Sequence, residues 1–176
     1  MKKTLLAVAL SSVAVIGMMN VANASDGTIH FTGNITDQTC TVDSASKDLT
    51  VALGNVAASS FTAAGDKSSP TKFELKLTDC PESVASVAVK YDGVADSINS
   101  SLLKLDDATD MATNVGIEIS DVNGTAVPVA TASMDYPVDA TSGSANLDFS
   151  ARYVSTAAAV TTGPANSTSQ FTLNYK

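Results

Sequence analysis

The chain of 176 residues has no tryptophan, one histidine and two cysteines. A zinc site needs about four histidine, cysteine or carboxylate ligands, and the sequence contains no Cys-x-x-Cys pair. A catalytic thiol needs a partner base, which is also missing from the sequence. The composition therefore predicts no catalytic residue, no metal ligand and no cofactor site.

Basic residues are also scarce, with ten Lys and Arg against 18 Asp and Glu and a formal net charge of -8. Nucleic acid binding requires a basic surface that neutralises phosphates, so this charge excludes it as a function. An acidic surface is also repelled by anionic membranes. The simplest interpretation is that the charge keeps an exported protein in solution.

Long apolar runs are confined to the start of the chain, where Lys2 and Lys3 precede the run from Leu5 to Met19. Ala22-Asn23-Ala24 then matches a signal-peptidase site, so residues 1–24 are predicted to be a secretory signal peptide. No comparable run follows, and we expect no membrane insertion. The 152 residues that remain (176 minus 24) suit one exported domain.

The acidic residues Asp106, Asp107 and Asp110 raise the alternative of a calcium site. Their spacing differs from an EF-hand loop, which needs a glycine at its centre and a terminal glutamate. A solvated acidic loop is the simpler interpretation. No pair of carboxylates has a spacing that defines a general acid and base.

Cys40 and Cys80 are the only cysteines. In an oxidising compartment an even count indicates a disulfide. Closing a loop of this length stabilises a fold by about 4 kcal/mol. The pair is predicted to be structural.

The middle of the chain contains short segments in which apolar and polar residues alternate, as expected for half-buried strands. No amphipathic run of a dozen residues indicates a helix, so the sequence predicts an antiparallel, immunoglobulin-like sandwich. Asn123-Gly124 predicts a type I′ hairpin. The alternating segments are Leu49–Leu53, Phe73–Leu77, Val87–Tyr91, Val115–Ile119 and Leu147–Tyr153.

Two further alternating segments stand near the ends of the chain, Thr28–Ile35 and Phe171–Lys176. In the first, Ile29, Phe31 and Ile35 share one face with Gly33 between them. It is either an ordinary first strand of the sandwich or a strand whose apolar face is covered by another molecule. His30 falls on the opposite face and is expected to be solvated.

The pattern from Gly27 to Ile35, followed by Cys40, resembles the N-terminal extension of chaperone–usher pilins, the structural subunits of type 1 and P-like fimbriae. Gly33 matches the family's groove glycine. The C-terminal match is similar in kind, with alternating apolar residues, a penultimate tyrosine and a glycine fourteenth from the end. These are Phe171, Leu173, Tyr175 and Gly163.

The resemblance implies an incomplete immunoglobulin-like sandwich of six strands, whose seventh strand is supplied in trans. Residues 25–39 would be the donor-strand extension and residues 40–176 the pilin domain. Ile29, Phe31, Gly33 and Ile35 would enter a neighbour's groove beside the C-terminal strand that carries Phe171, Leu173 and Tyr175. The implied partners are other pilin subunits, a periplasmic chaperone and the outer-membrane usher, and the implied location is a surface fimbria reached through the periplasm.

Three alternatives stay open at this stage. A minor or adaptor pilin shares these motifs, although the alanine-rich composition and intact extension favour the major shaft subunit. A sugar-binding adhesin normally carries a lectin domain ahead of its pilin domain, for which 152 residues leave no room. The third is a self-complete secreted sandwich whose N-terminal strand pairs within its own fold.

Overall fold

The computed structural model describes residues 28–33, 35 and 39–176, and the chain divides into two units, Met1–Ile35 and Thr36–Lys176. The predicted signal peptide lies outside the described residues. Residues 28–33 and 35 belong to no helix or strand. Three apolar side chains of this first unit are exposed, namely Ile29 at 78%, Phe31 at 92% and Ile35 at 106% of their full accessible areas.

Residues 39–176 contain two antiparallel sheets, one with the strand order β1-β2-β6-β4 and one with the order β5-β3-β7. In the part of the chain that the structure describes, no helix is long and apolar enough to cross a membrane. The elements are β1 (Thr41–Val42), α1 (Ser44–Lys47), a 3-10 turn (Ala58–Ser60), β2 (Thr71–Thr78), β3 (Ser86–Asp92), β4 (Val115–Asp121), β5 (Tyr136–Pro137), β6 (Ala145–Ser155) and β7 (Gln170–Tyr175).

The core lies between the two sheets and follows from the period of two along each strand. Leu147 on β6 and Val87 and Val89 on β3 are fully buried. An aromatic cluster fills one end, where the ring of Phe149 lies 5.3 Å from Tyr91 and 5.2 Å from Tyr136. The predicted all-β class is confirmed. The alternating segments form strands because each buries its apolar face between the two sheets.

The disulfide joins Cys40, immediately before β1, to Cys80, just after β2. The backbone N–H of Cys80 also donates to the Gly143 carbonyl at 2.9 Å. The predicted pairing is confirmed, and it fixes the start of the second unit to the end of a long central strand.

The prediction of a strand over Leu49–Leu53 is wrong. Within residues 39–176, no backbone hydrogen bond joins residues 49–56 to the rest of the fold. A β-strand exists only where a neighbouring strand pairs with it. The alternation in this segment is real, but its pairing partner is absent from the described part of the chain.

The hairpin after β4 also differs from the prediction. A type I′ turn needs positive φ at both central residues, and here Gly124 has a φ of 78° while Asn123 is not among the positive-φ residues. The Asp121 carboxylate accepts hydrogen bonds from the backbone N–H groups of Asn123 and Thr125, each at 2.9 Å. The Asp121 side chain therefore stabilises a turn other than type I′. The Asn-Gly dipeptide alone does not show that a neighbouring carboxylate bonds to the turn backbone.

An ionic cluster around a buried carboxylate lies on the outer face of β4. Glu118 receives Lys67 Nζ at 2.7 Å and Arg152 at 2.6 Å, and its side chain is 9% exposed. Burial would raise the pKa of the Glu118 carboxyl, but the hydrogen bonds and positive charges of Lys67 and Arg152 outweigh this effect and hold that pKa below the usual value of a glutamate. The cluster fastens the loop that contains Lys67 to two strands of the larger sheet.

We expect Glu118→Gln to lower the free energy of unfolding near pH 7 by about 1.5–3 kcal/mol, because charge-assisted hydrogen bonds are lost. A carboxyl with a depressed folded-state pKa stabilises the fold fully above its unfolded-state pKa, and this stabilisation is lost as the pH falls through the folded-state value. Urea titrations near neutrality and in acid measure both effects. The difference in the free energy of unfolding between the unsubstituted chain and Glu118→Gln should become smaller in acid.

Glu74→Gln is the matched control, because Glu74 pairs with Lys76 at 3.3 Å on a more exposed surface. Exposed pairs contribute about 0.2–1 kcal/mol. If Glu118→Gln lowers the free energy of unfolding by no more than this, or by the same amount in acid, the ion pairs of Glu118 do not stabilise the fold as described.

Candidate functional site

Strand β7 lies at the edge of the smaller sheet. Its register with β3 places Phe171 opposite Tyr91, Leu173 opposite Val89 and Tyr175 opposite Val87. No strand within residues 39–176 pairs with its other edge. Such an edge presents backbone N–H and C=O groups to any extended chain that can reach it.

The inner face of β7 is only partly covered. Phe171, Leu173 and Tyr175 are half-buried, while Gln170, Thr172 and Asn174 on the outer face are exposed. Tyr175 contacts the backbone of Cys40, and burial raises the pKa of its hydroxyl. The alternation expected for the C-terminal strand is therefore present, with apolar side chains that nothing in residues 39–176 covers completely.

A groove of about 1200 Å³ lies beside this face. Its floor is formed by side chains of both sheets, because the inward positions of five strands, β1, β2, β3, β4 and β6, converge on it. Among the lining residues, only Lys47 and Asp48 carry a charge. The floor residues are Val42, Phe73, Leu75, Tyr91, Leu103, Ile117, Ile119, Ala151 and Tyr153.

The opposite wall of the groove is the segment from Leu49 to Asn55. Val51 and Leu53 are half-buried against the core, and Leu49 is 41% exposed. Within residues 39–176, the backbone of this wall makes no hydrogen bond to another backbone group. The groove thus has two margins, β7 and residues 49–55. Each margin has backbone N–H and C=O groups that can form hydrogen bonds with a strand lying between them.

Gly163 lies outside β7, in the loop that precedes it. Its φ is 153°, and a Cβ atom built on it would stand 2.0 Å from the Asp110 carbonyl oxygen and 2.7 Å from the Ala112 nitrogen. Gly163 also lines a second cavity of about 290 Å³, next to Tyr153 and Ala165. In the described fold, Gly163 lets two backbone segments approach so closely that a residue with a side chain would not fit between them.

The predicted donor residues are in the first unit. Ile29, Phe31 and Ile35 are exposed, and a Cβ built on Gly33 would meet nothing within 4 Å in the structure. The surroundings of Gly33 in this structure therefore do not require a glycine. Among the described residues, no group of three or more histidine, cysteine, aspartate or glutamate side chains could hold a metal ion.

Sequence reasoning missed several contributors to the groove, among them Leu103 and Tyr91. Leu103 comes from an irregular stretch between β3 and β4, where no alternation identifies inward positions. Tyr91 belonged to a predicted strand, and its alternation with Val87 and Val89 was a signal that it points into the core. Most of the remaining wall, Leu49–Leu53, was identified by its alternation but was predicted to be a strand, which it is not.

The comparisons with known proteins agree with this geometry. The family model described as "Fimbrial protein" matches residues 29–176. A probable major fimbrial subunit of Escherichia coli O157:H7 is 39% identical over 173 residues, covering 98% of this chain and 94% of the relative.

Two solved structures carry the same fold. A Burkholderia pseudomallei antigen and type I fimbria protein is 34% identical with a TM-score of 0.60, covering 85% of this chain and 97% of that one. A chain of a chaperone–usher pilus gives a TM-score of 0.65 at 21% identity, covering 86% of this chain and 96% of that one.

These similarities define a structural protein rather than an enzyme. The chain belongs to the fimbrial protein family. Its predicted all-β, immunoglobulin-like fold with one disulfide is confirmed, and a chain of a chaperone–usher pilus has the same fold. Subunits of this family polymerise with other pilin subunits into surface fibres.

Proposed function

We propose that this chain is the main repeating subunit of a fimbria and polymerises by donor-strand exchange. Residues Ile29, Phe31, Gly33 and Ile35 of one copy enter the groove of the next copy, between β7 and the wall at residues 49–55. The observation that carries the proposal is the apolar groove beside an edge strand with an unpaired margin. Main-chain pairing gives affinity, and alternate side chains in the groove give specificity.

The two halves of this joint fit in chemistry. Ile29, Phe31 and Ile35 are exposed where they stand, and burial contributes about 1.5–3 kcal/mol for each such side chain. The half-buried Phe171, Leu173 and Tyr175 gain cover from the same contact. An incoming strand also pairs backbone groups whose burial without partners is costly.

The proposal includes a pathway. Residues 1–24 direct export, residues 25–39 form the donor extension and residues 40–176 form the pilin domain. A periplasmic chaperone fills the groove beside Phe171, Leu173 and Tyr175 until the outer-membrane usher replaces it with the extension of the next subunit. The exposed, apolar edge of an unfilled groove invites aggregation, which is the physical reason for a chaperone.

A peptide experiment tests the exchange. A chain of residues 40–176 is melted alone and with a peptide that covers residues 27–37. Ligand binding to the folded state stabilises it by about 2.7 kcal/mol when free peptide stands at 100 times its Kd. We therefore expect the Tm to rise by roughly 5–15 °C.

The control is the same peptide with Phe31→Asp, which should leave the Tm unchanged because a carboxylate cannot enter the apolar groove. If residues 40–176 form a stable monomer whose Tm ignores both peptides, the exchange mechanism is wrong.

A further inference from the structure

The hydroxyl of Tyr91 is an unpartnered polar group under the groove. Tyr91 is 5% exposed, it lines the groove, and its ring packs edge-on against Phe149 at 5.3 Å and Phe73 at 6.4 Å. Its oxygen is buried and has no hydrogen-bond partner among the described residues. Burial also raises the pKa of this hydroxyl, so it stays a neutral donor across the physiological range.

The hydroxyls of the buried Tyr136 and the half-buried Tyr153 do have partners. The Tyr136 hydroxyl donates to the Asp148 carbonyl at 2.7 Å, and the Tyr153 hydroxyl donates to the Ala165 carbonyl at 2.9 Å. A buried hydroxyl without an acceptor costs free energy that a phenylalanine at the same position would avoid. Because the Tyr91 side chain lines the groove, a molecule that fills the groove can supply the missing acceptor.

The proposed occupant of the groove narrows the choice of acceptor. Its inward side chains at Ile29, Phe31 and Ile35 are hydrocarbon, and they hold the main chain away from the floor. Gly33 has no side chain, so the main chain comes closest to the floor there. A backbone carbonyl next to this glycine is the acceptor that the floor can reach.

We propose that Tyr91 is a specificity-determining residue of the groove, whose hydroxyl donates a hydrogen bond to the main chain at Gly33 of the incoming strand from a second copy of this chain. This inference rests on donor-strand exchange as the function of the groove. It assigns to Gly33 a recognition role, because a side chain there would separate the acceptor from Tyr91. It also predicts the register, with Gly33 level with Tyr91 and its partner Phe171.

The test is a double-mutant cycle between groove and peptide. The acceptor is the full mature chain with Phe31→Asp, so that its own extension does not compete, and the probe is a labelled peptide of residues 27–37. Tyr91→Phe in this chain should weaken peptide binding about threefold to tenfold in fluorescence anisotropy, the effect of one hydrogen bond. With a Gly33→Ala peptide, Tyr91→Phe should change the affinity less than twofold.

Stability of the unfilled chain provides a second readout. Tyr91→Phe removes an unsatisfied group and should leave the urea midpoint equal or raise it. Tyr136→Phe is the matched control, since it loses the bond to Asp148 outside the groove. It should lower the urea midpoint and leave peptide affinity unchanged.

The outcomes separate the two proposals. Equal peptide affinity for the acceptors with and without Tyr91→Phe, or an equal loss with both peptides, overturns the hydrogen bond and leaves donor-strand exchange standing. Failure of the peptide to bind either acceptor overturns both.

Discussion

Phe31→Asp is expected to abolish polymerisation of the full mature chain, while His30→Asp leaves polymerisation intact. The two substitutions introduce the same charge at neighbouring positions of the extension. Phe31 shares the apolar face with Ile29 and Ile35, whereas His30 lies on the opposite face. A carboxylate in the groove would be buried without a partner and would cost several kcal/mol, enough to reduce the extent of assembly more than about a hundredfold.

Size-exclusion chromatography with light scattering measures the effect on refolded protein, and electron microscopy measures it on cells. Phe31→Asp should yield only species with an unoccupied groove and no fibres. Equal fibre length for the two variants would show that the apolar face of the extension does not enter the joint.

Gly163→Ala is expected to lower the free energy of unfolding by more than about 3 kcal/mol, because both collision and strain contribute. The new Cβ would stand 2.0 Å from the Asp110 carbonyl oxygen and 2.7 Å from the Ala112 nitrogen, and both are backbone atoms that cannot rotate away. The loops must separate, which breaks the hydrogen bond from the Ala112 N–H to the Pro164 carbonyl at 2.9 Å. The φ of 153° adds strain for any residue with a side chain.

Gly124→Ala separates strain from collision. Gly124 has a φ of 78°, but a Cβ on it meets nothing within 4 Å. Its cost should stay near about 1–2 kcal/mol, the penalty of a left-handed conformation alone. Urea denaturation of the two variants compares them directly, and equal losses would contradict the close approach at Gly163.

Strands were predicted correctly from the sequence where a strand packs one apolar face into the core. Phe73–Leu77 and Val115–Ile119 fall inside β2 and β4 because their alternation matches a sandwich with a single core. Cys40 and Cys80 were paired correctly because export and an even count leave one combination. The same logic failed at Leu49–Leu53, since a pattern shows which face is apolar but cannot supply the neighbour that a ladder needs.

The candidate site was predictable in its strands and unpredictable in its loops. The alternation of Phe171, Leu173 and Tyr175 is written in the local sequence. The contact of Gly163 with Asp110 joins residues far apart in the chain, as does the contribution of Leu103 to the groove. Whether the Tyr91 hydroxyl has a hydrogen-bond partner depends on residues from several parts of the chain, so no local sequence pattern predicts that it has none.

The disulfide has a mechanical consequence. Tension applied to the segment before Cys40 divides between β1 and the covalent bond to Cys80. Strand β1 is held by two residue pairs with β2, whereas β2 is held by seven pairs with β6, from Thr71 to Leu77. The covalent bond therefore transfers a pull from the shortest ladder of the larger sheet to one of its two longest ladders.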